Sequence, residues 1–252
     1  MQGWIQEMES EADALQQCGF IQQLGCPPTG DTGLYRSSCR FSLSRFDPGL
    51  FAAARIQRPP EIVRSVQKRQ AEYLAGRYLA AGIFAGMFPQ GSEVPQVAIG
   101  NHRNPLWPAG IVGSISHCGE EAVCVLARDT EYQSLGVDLE NWMTPSVCAE
   151  ISPSVLVDDE AALLIRRGMS REQAVTLIFS AKESLFKALY PRVGEYFGFE
   201  CARVISADSP AGTLVLALQP AFADRHGLEQ RYTCACTRTR ETVETFIAVR
   251  AA

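Results

Sequence analysis

The stretch IVGSISHCGEEAVCVLARDTEYQSLGVDLE, residues 111–140, decides the fold because it contains three consecutive strand patterns. Apolar residues predict strands at Ile111–Ser116 and Ala122–Arg128, and the segment Cys118-Gly119-Glu120-Glu121 between them predicts a hairpin. A third strand is predicted at Leu135–Glu140. Strands joined by a tight turn run antiparallel, so this region predicts an antiparallel sheet.

Helical patterns lie on both sides of these strands. Glu61–Phe88 has apolar residues at helical spacing, and a second helix is predicted from Arg171 to Tyr190, ending at Pro191. Alternating residues predict further strands at Arg40–Phe46, Leu214–Leu218, Tyr232–Cys236 and Phe246–Val249. Strands followed by a helix and more strands occur twice. The order predicts an α+β protein of two similar halves, although no sequence repeat proves a duplication.

We divide the chain into three parts. Residues 1–37 show no sustained period and contain Pro27 and Pro28, so we predict a loosely structured N-terminal extension. Residues 38–133 form the predicted N-terminal α+β half, and residues 134–252 form the C-terminal half.

Composition excludes several classes of protein. Among the 252 residues 46% are hydrophobic, and the net charge of −5 argues against a bulk nucleic-acid or membrane binder. An anionic ligand would therefore need a local basic patch. The nine cysteines include no CxxC pair, which predicts reduced thiols in a cytoplasmic protein. The first residues lack signal-peptide features, and no dinucleotide-binding, P-loop or zinc-protease motif occurs.

Asp138 and Glu140 are the first candidate site residues. On a strand their carboxylates would share one face, while Val137 and Leu139 would turn to the core. Two carboxylates at this spacing repel each other unless a cation lies between them, and hard oxygen ligands suit Mg²⁺. A half-exposed strand with two solvated acids explains the same pattern, so both interpretations stay open.

Glu183 and Lys187 lie four residues apart in the second helix. Such neighbours can form a surface ion pair that stabilises a helix by a few tenths of a kcal/mol. In the functional interpretation Glu183 is a third metal ligand or a general base, and Lys187 binds phosphate. That interpretation requires the helix to pack beside the strand that carries Asp138.

Basic residues form a candidate anion-binding patch. Arg69 and Arg77 are eight residues apart, near one face of the first helix, and guanidinium groups suit bidentate phosphate contacts. Lys68 and Arg103 complete the patch. A solvated helix face explains any one of these residues equally well.

Ser116 and His117 end the first strand of the opening stretch, and both side chains can donate hydrogen bonds to phosphate. A structural capping role explains them as well. They do not form a serine-hydrolase dyad, because adjacent strand residues point to opposite faces.

Taken together, these segments resemble the superfamily of 4′-phosphopantetheinyl transferases, in its siderophore-synthase form. Their order along residues 68–200 carries the resemblance, since no single motif is specific. The resemblance implies two α+β halves related by a pseudo-twofold axis, each an antiparallel sheet packed with helices, with the active site at their interface. The segments are KRQAEYLAGR (Lys68–Arg77), NPLWPAGIVGSISHC (Asn104–Cys118), GVDLE (Gly136–Glu140), FSAKESLFKALYP (Phe179–Pro191) and GFE (Gly198–Glu200).

The resemblance also implies residue roles. Asp138, Glu140 and Glu183 would hold Mg²⁺, or Mn²⁺, against the pyrophosphate of coenzyme A, and Glu183 would also be the general base. Lys187 and His117 complete the implied catalytic set. Either His102 or Arg103 would supply the basic residue near the Pro-rich turn. The residues implied to bind coenzyme A are Arg69, Arg77, Arg103, Ser116, His117, Lys182 and Lys187.

The implied reaction moves 4′-phosphopantetheine from coenzyme A to a serine of an apo acyl, peptidyl or aryl carrier protein, and adenosine 3′,5′-bisphosphate leaves. Such reactions serve siderophore, nonribosomal peptide and fatty acid biosynthesis. Two alternatives stay open: a Mg²⁺-dependent coenzyme A pyrophosphohydrolase, and a non-catalytic module that binds coenzyme A or carrier. We expect a monomeric, cytoplasmic enzyme that binds neither nucleic acid nor membrane.

Overall fold

The structure, a computed structural model, describes residues 14–27, 29–88, 93–208 and 211–251. Its contacts divide the chain into two compact units, Met1–Glu131 and Tyr132–Ala252. Each unit is described by itself below. Within the described ranges, no helix is long and apolar enough to cross a membrane.

The N-terminal unit is a four-stranded sheet covered by one long helix. All its strand pairs are antiparallel, in the order β1-β2-β6-β5, and a short β3-β4 ribbon is separate. Its elements are α1 (Ala14–Gln17), β1 (Ile21–Gly25), β2 (Leu34–Phe41), a 3₁₀ turn (Leu43–Arg45), α2 (Leu50–Ala53), α3 (Pro60–Val63), α4 (Gln67–Met87), β3 (Ala98–Ile99), β4 (Pro105–Leu106), β5 (Ile111–Cys118) and β6 (Glu121–Arg128).

Helix α4 lies across β2, β6 and β5, and its buried residues form the core of this unit. Leu74, Leu79 and Phe84 are fully buried there. Helix and strand approach closely at Gly76, where a Cβ atom would lie 2.8 Å from the Ile115 side chain. The glycine therefore sets the distance between α4 and β5.

The C-terminal unit is a five-stranded antiparallel sheet packed on one long helix. The strand order is β7-β11-β10-β9-β8. Its elements are β7 (Tyr132–Asn141), α5 (Pro145–Val155), α6 (Glu160–Ile165), α7 (Arg171–Val193), a 3₁₀ turn (Phe199–Cys201), β8 (Ala202–Asp208), β9 (Thr213–Leu218), α8 (Pro220–His226), β10 (Arg231–Arg238) and β11 (Thr242–Arg250).

Helix α7 packs on β7 and β11. It begins with a capping box, in which the Ser170 hydroxyl and the Gln173 side chain each accept a backbone N–H of the other residue. At Gly136 the helix backbone comes so close that a Cβ atom would overlap the Ser184 carbonyl oxygen and lie 2.8 Å from the Ala188 nitrogen. Glycine at this position allows α7 to lie directly on β7.

The α+β prediction with two sheet-and-helix halves is confirmed. The hairpin of residues 111–128 forms β5 and β6, with Gly119 in the left-handed region at φ 58°. The predicted strand at Leu135–Glu140 is part of β7, and the three predicted C-terminal strands lie within β9, β10 and β11.

Three predictions about elements were wrong. Residues Leu43–Arg45 form a 3₁₀ turn instead of continuing a strand. The first long helix is broken after α3, because Val66 is extended at ψ 154° and α4 begins only at Gln67; the Gln70 amide donates to the Ser65 carbonyl in the gap. The second helix continues through Pro191, whose ring fixes a helix-compatible φ, and ends at Gly194 in the left-handed region.

The predicted loose extension also differs from the structure. Residues 1–13 and Pro28 lie outside the described residues. In the described part of residues 1–37, β1 pairs with β2, and Leu15 and Phe20 are fully buried. Apolar side chains at irregular spacing form part of the core here, because short elements do not need a sustained period.

Candidate active site

Strand β7 and helix α7 bring three of the predicted site residues together. Asp138 is opposite Thr245 of β11, and it shares the sheet face of Gly136, which lies against α7. The expectation that the carboxylates would face away from the core was therefore wrong. Asp138 is only 3% exposed under the helix, and Val137 and Leu139 are buried on the other face. Asp138 thus points into a helix-covered site.

Lys187 is the partner of Asp138. Its Nζ donates to Asp138 Oδ1 at 2.7 Å and to the Val137 carbonyl at 3.0 Å. The two residues are 49 positions apart in the chain, and their elements meet only through tertiary packing. The helix therefore does pack beside the strand that carries Asp138, which the functional interpretation required.

Glu183 lies one helical turn before Lys187 and is half-buried. Burial raises the pKa of the Glu183 carboxyl, and the nearby negative charge of Asp138 raises it further, while Lys187 lowers it. Two carboxylates and an ammonium therefore interact in one partly desolvated place. A carboxylate in such surroundings can accept a proton more readily than one in water.

These residues fit Mg²⁺ by donor type. Mg²⁺ is usually held by one or two carboxylates together with substrate phosphates and water. Asp138 and Glu140 occupy one face of β7, and Glu183 interacts electrostatically with Asp138. Within the described ranges, no three His, Cys, Asp or Glu side chains form a ready-made metal cage. A metal bound with phosphate needs no such cage.

Buried hydroxyls hold α7 on the sheet. The Ser180 and Ser184 hydroxyls lie 2.9 and 2.7 Å from the Thr245 hydroxyl, and Ser184 also donates to the Thr245 carbonyl at 2.9 Å. All three side chains are fully buried. Because Thr245 is opposite Asp138 in the sheet, this network fixes the helix register at the point where Glu183 and Lys187 are needed.

Lys182 does not have the role that was predicted for it. It was assigned to coenzyme A, but the residue is 2% exposed, and its ammonium donates to Glu160 Oε1 at 2.6 Å and to the Val155 and Phe199 carbonyls. Glu160 also accepts the backbone N–H of Val204 at 2.7 Å. All three ammonium protons are therefore used inside the protein. The lysine joins α7 to its neighbours rather than binding a ligand.

A second cluster lies between α4 and β5 in the N-terminal unit. Arg69 Nη1 lies 2.8 Å from His117 Nε2, so the two residues are neighbours in space. Glu72, one turn further along α4, places its carboxylate 3.7 Å from His117 Nδ1 and 3.9 Å from both Lys68 Nζ and Arg69 Nη1. Burial raises the pKa of Glu72, and the two cations partly oppose that shift.

Arg77 lies in the same region but is bound differently. Its Nε donates to the Val97 carbonyl at 2.9 Å, and its guanidinium lies 4.5 Å from the Tyr73 ring centre. Burial lowers the pKa of Arg77, and the charge of Arg69 contributes to the same direction. The positive charges of Arg69 and Arg77 therefore repel each other, and an anion bound between them would relieve that repulsion.

Ser116 and Arg103 lie apart from the contact between Arg69 and His117. Ser116 follows Ile115 in β5 and is buried, so its side chain points to the sheet face opposite His117. Arg103 lies in the exposed loop between β3 and β4 with φ 64°, and its N–H donates to the Gly100 carbonyl. Neither side chain is brought to the Arg69–His117 contact by the described structure.

Glu72 was not among the predicted site residues. It lies in the KRQAEYLAGR segment, and an acid four residues after Lys68 and three after Arg69 reads as an ordinary helix ion pair. Only its position against His117 distinguishes it. A lone acid at 8% exposure among three basic groups is the signal that tertiary structure adds.

Each of the two units is matched in part by one family model. A family model described as the 4′-phosphopantetheinyl transferase N-terminal domain matches residues 58–127, and one described as the 4′-phosphopantetheinyl transferase superfamily matches residues 134–237. Enterobactin synthase component D of Escherichia coli (strain K12) is 37% identical over 146 residues, 57% of this chain and 67% of that protein. The chain belongs to the 4′-phosphopantetheinyl transferase superfamily.

Other superfamily members show similar levels of identity. Enterobactin synthase component D of Salmonella typhi is 41% identical over 157 residues, and this match spans 62% of each chain. The 4′-phosphopantetheinyl transferase Npt of Nocardia iowensis is 31% identical over 166 residues, 60% of this chain and 68% of that one. The resemblance deduced from the motifs, including the siderophore-synthase form, is therefore confirmed.

Proposed function

We propose that this protein transfers 4′-phosphopantetheine from coenzyme A to a serine hydroxyl of an apo carrier protein. The observation that carries the proposal is the cluster of Asp138, Glu183 and Lys187, which lies in the part of the chain matched by the superfamily model. The cluster combines a partly desolvated base, a second carboxylate and a cation. Transfer of a phosphoryl-linked group needs these three kinds of group together.

In the proposed reaction the serine oxygen of the carrier attacks the β-phosphorus of coenzyme A. A P–O bond to serine forms, the pyrophosphate P–O–P bond breaks, and adenosine 3′,5′-bisphosphate leaves with the electron pair. Glu183 accepts the serine proton, directly or through a water molecule. Such general-base help contributes about 10²–10⁴-fold.

Lys187 offsets negative charge beside Glu183 and holds the Asp138 carboxylate in place, since its ammonium already donates to Asp138. Asp138, Glu140 and Glu183 would hold Mg²⁺, and Mn²⁺ is the alternative for the same oxygen donors. When bound, the ion would neutralise charge on the pyrophosphate.

The N-terminal unit is proposed to bind the nucleotide end of coenzyme A. Arg69 and His117 are in contact, and Arg77 adds a second guanidinium nearby, so a phosphate dianion would meet several donors. We assign the 3′-phosphate to these residues. Ser116 and Arg103 stay as proposed contacts on the strength of the family motifs alone.

Intact-protein mass spectrometry of an apo carrier, incubated with this protein, coenzyme A and Mg²⁺, tests the proposal. We expect a mass gain equal to phosphopantetheine that disappears when EDTA removes the metal. Coenzyme A cleaved without any gain on a carrier would instead support the pyrophosphohydrolase. Intact coenzyme A with no gain on any of the carriers would support the non-catalytic module.

The carrier panel should begin with aryl and peptidyl carriers, because enterobactin synthase component D is named for siderophore synthesis. An acyl carrier protein of fatty acid synthesis is the natural comparison. Preference among these carriers defines the substrate range. The monomeric state and the cytoplasmic location stay predictions.

A further inference from the structure

Resting on the proposed function, we infer that Glu72 is a positioning residue for His117. Its carboxylate keeps the Nδ1 proton of the imidazole on the Glu72 side, so that Nε2 is presented beside Arg69, where the 3′-phosphate of coenzyme A would bind. Glu72 lies on α4 and His117 lies on β5, and the pair is therefore assembled by packing of the helix on the sheet.

The contact between Arg69 and His117 defines the tautomer. A guanidinium has only donors, so Arg69 Nη1, 2.8 Å from His117 Nε2, is hydrogen-bonded only when Nε2 offers its lone pair. The proton of a neutral His117 then resides on Nδ1. That atom faces Glu72 Oε1 at 3.7 Å. The group beside one ring nitrogen thus determines what the other nitrogen can do.

When a phosphate binds, Nε2 of His117 has to donate a hydrogen bond instead of accepting one. Arg69 can turn to the phosphate oxygens, and His117 is then useful only if Nε2 carries a proton that it can donate. With Glu72 on the Nδ1 side, an imidazolium has a negative partner at each nitrogen: the carboxylate at Nδ1 and the phosphate at Nε2. Without Glu72, the negative charge beside Nδ1 is lost and the Nδ1–H form is less strongly favoured.

Burial acts against a charged side chain at position 72. Burial raises the pKa of Glu72, with Lys68 and Arg69 opposing, so its contribution to stability is full below the unfolded pKa and declines as pH rises through the folded pKa. The charges that face it come from Lys68 and Arg69 on α4 and from His117 on β5. Burial therefore acts against the ionised form of Glu72 while the nearby cations favour it, and a buried carboxylate kept at this cost is consistent with a functional role.

The test uses Glu72→Ala, Glu72→Gln and the matched control Glu61→Gln, which changes an exposed acid in α3. Adenosine 3′,5′-bisphosphate and adenosine 5′-monophosphate are the binding probes. We expect Glu72→Ala to weaken binding of the bisphosphate about five- to tenfold, because the imidazole loses the carboxylate charge 3.7 Å from Nδ1, and to leave binding of the monophosphate unchanged. Glu72→Gln should recover part of the affinity, since its side-chain carbonyl keeps a partial negative charge on the Nδ1 side.

Nitrogen-15 NMR of the three histidines gives a readout that a merely structural role would not move. We expect the ligand-free wild type to show the Nδ1–H form of His117, and Glu72→Ala to show a mixture of tautomers. In thermal unfolding at pH 7, Glu72→Gln should be at least as stable as the wild type.

Unchanged tautomers and unchanged bisphosphate affinity in Glu72→Ala would overturn the inference. So would equal losses for both nucleotides, because they would indicate a general loss of structure. A wild type that transfers phosphopantetheine while Glu72→Ala shows no change refutes only the role of Glu72. A wild type that neither transfers nor binds the bisphosphate refutes the proposed function itself.

Discussion

The two charged clusters have opposite compositions. In the N-terminal unit three basic side chains, Lys68, Arg69 and His117, surround one buried carboxylate, Glu72. In the C-terminal unit the order is reversed: the carboxylates of Asp138 and Glu183 interact with one ammonium, that of Lys187. One cluster suits a phosphate, and the other suits a divalent cation.

The comparison shows how like charges can be held together before a ligand arrives. Each cluster contains one side chain of the opposite sign, which reduces repulsion among the others. The balance is local, because the chain as a whole carries a net charge of −5 and yet has a basic site. Removing the single opposite charge, Glu72 or Lys187, should therefore have a different effect from removing one of the like-charged groups around it.

The largest effect is expected from Glu183→Gln. The amide keeps the shape of the side chain but cannot accept the serine proton, so kcat should fall by about 10²–10⁴-fold while the fold is retained. Carrier modification at saturating coenzyme A and Mg²⁺ measures the change, and circular dichroism checks the fold. A near-normal rate would remove Glu183 from the role of base.

Two lysines of α7 provide the next contrast. Lys182→Met should leave Glu160 charged and unpaired in the core and reduce the free energy of unfolding by about 3–5 kcal/mol. Lys187→Met should reduce turnover, and it should lower stability less than Lys182→Met does, because the Lys187 side chain is 25% exposed and that of Lys182 only 1%. Chemical denaturation and initial rates of both variants separate the two roles.

A double variant, Lys182→Met with Glu160→Gln, is the control for this pair. It should recover part of the lost stability, since it removes the unpaired charge. If Lys182→Met instead kept wild-type stability and raised the KM for coenzyme A, the structural assignment of Lys182 would fail and its original assignment to the ligand would return.

The arginines of α4 should show a smaller, substrate-dependent effect. Arg69→Ala and Arg77→Ala should each raise the KM for coenzyme A about 10- to 100-fold more than the KM for 3′-dephospho-coenzyme A, because each removes a charge-assisted contact. Arg77→Ala should also lower the Tm, because Arg77 bonds to the Val97 carbonyl. Arg64→Ala, an exposed change after α3, serves as the control.

Equal KM increases for the two substrates would place the arginine concerned away from the 3′-phosphate. Loss of activity in the Arg64→Ala control would show that the effect comes from general positive charge and not from this cluster.

The last variant, Gly136→Ala, tests the close packing of α7 on β7. The added methyl group would meet the backbone of α7 at Ser184 and Ala188 and push the helix from β7, which should reduce stability by about 1–3 kcal/mol. The Lys187–Asp138 contact should loosen with it, so turnover should fall as well. Wild-type stability and turnover would show that α7 does not need this close approach.

Much of the fold could be predicted from alternating apolar residues. The β5–β6 hairpin and the strands β7, β9, β10 and β11 follow from local patterns. Buried positions alternate along β9 and β10, whereas β6 and most of β7 are buried on both faces. The elements that were missed, most of them short, are β1, β3, β4, β8, α1, α2, α5, α6 and α8. The end of α7 was misjudged because a proline in the last turn removes only one donor, whereas Gly194 supplies the left-handed residue that ends the helix.

The sequence by itself determined which residues are chemically able to act: the acids of GVDLE, Glu183 and Lys187 in the α7 motif, and Arg69 and His117. Their residue types and motif order were enough to identify the superfamily. Tertiary structure decided the partners. It paired Lys187 with Asp138, 49 residues apart in the chain. It also placed Lys182 in a buried ion pair with Glu160 and Glu72 beside His117. Long-range contacts depend on how helices pack on sheets, and the spacing of residues along one chain segment does not contain that information.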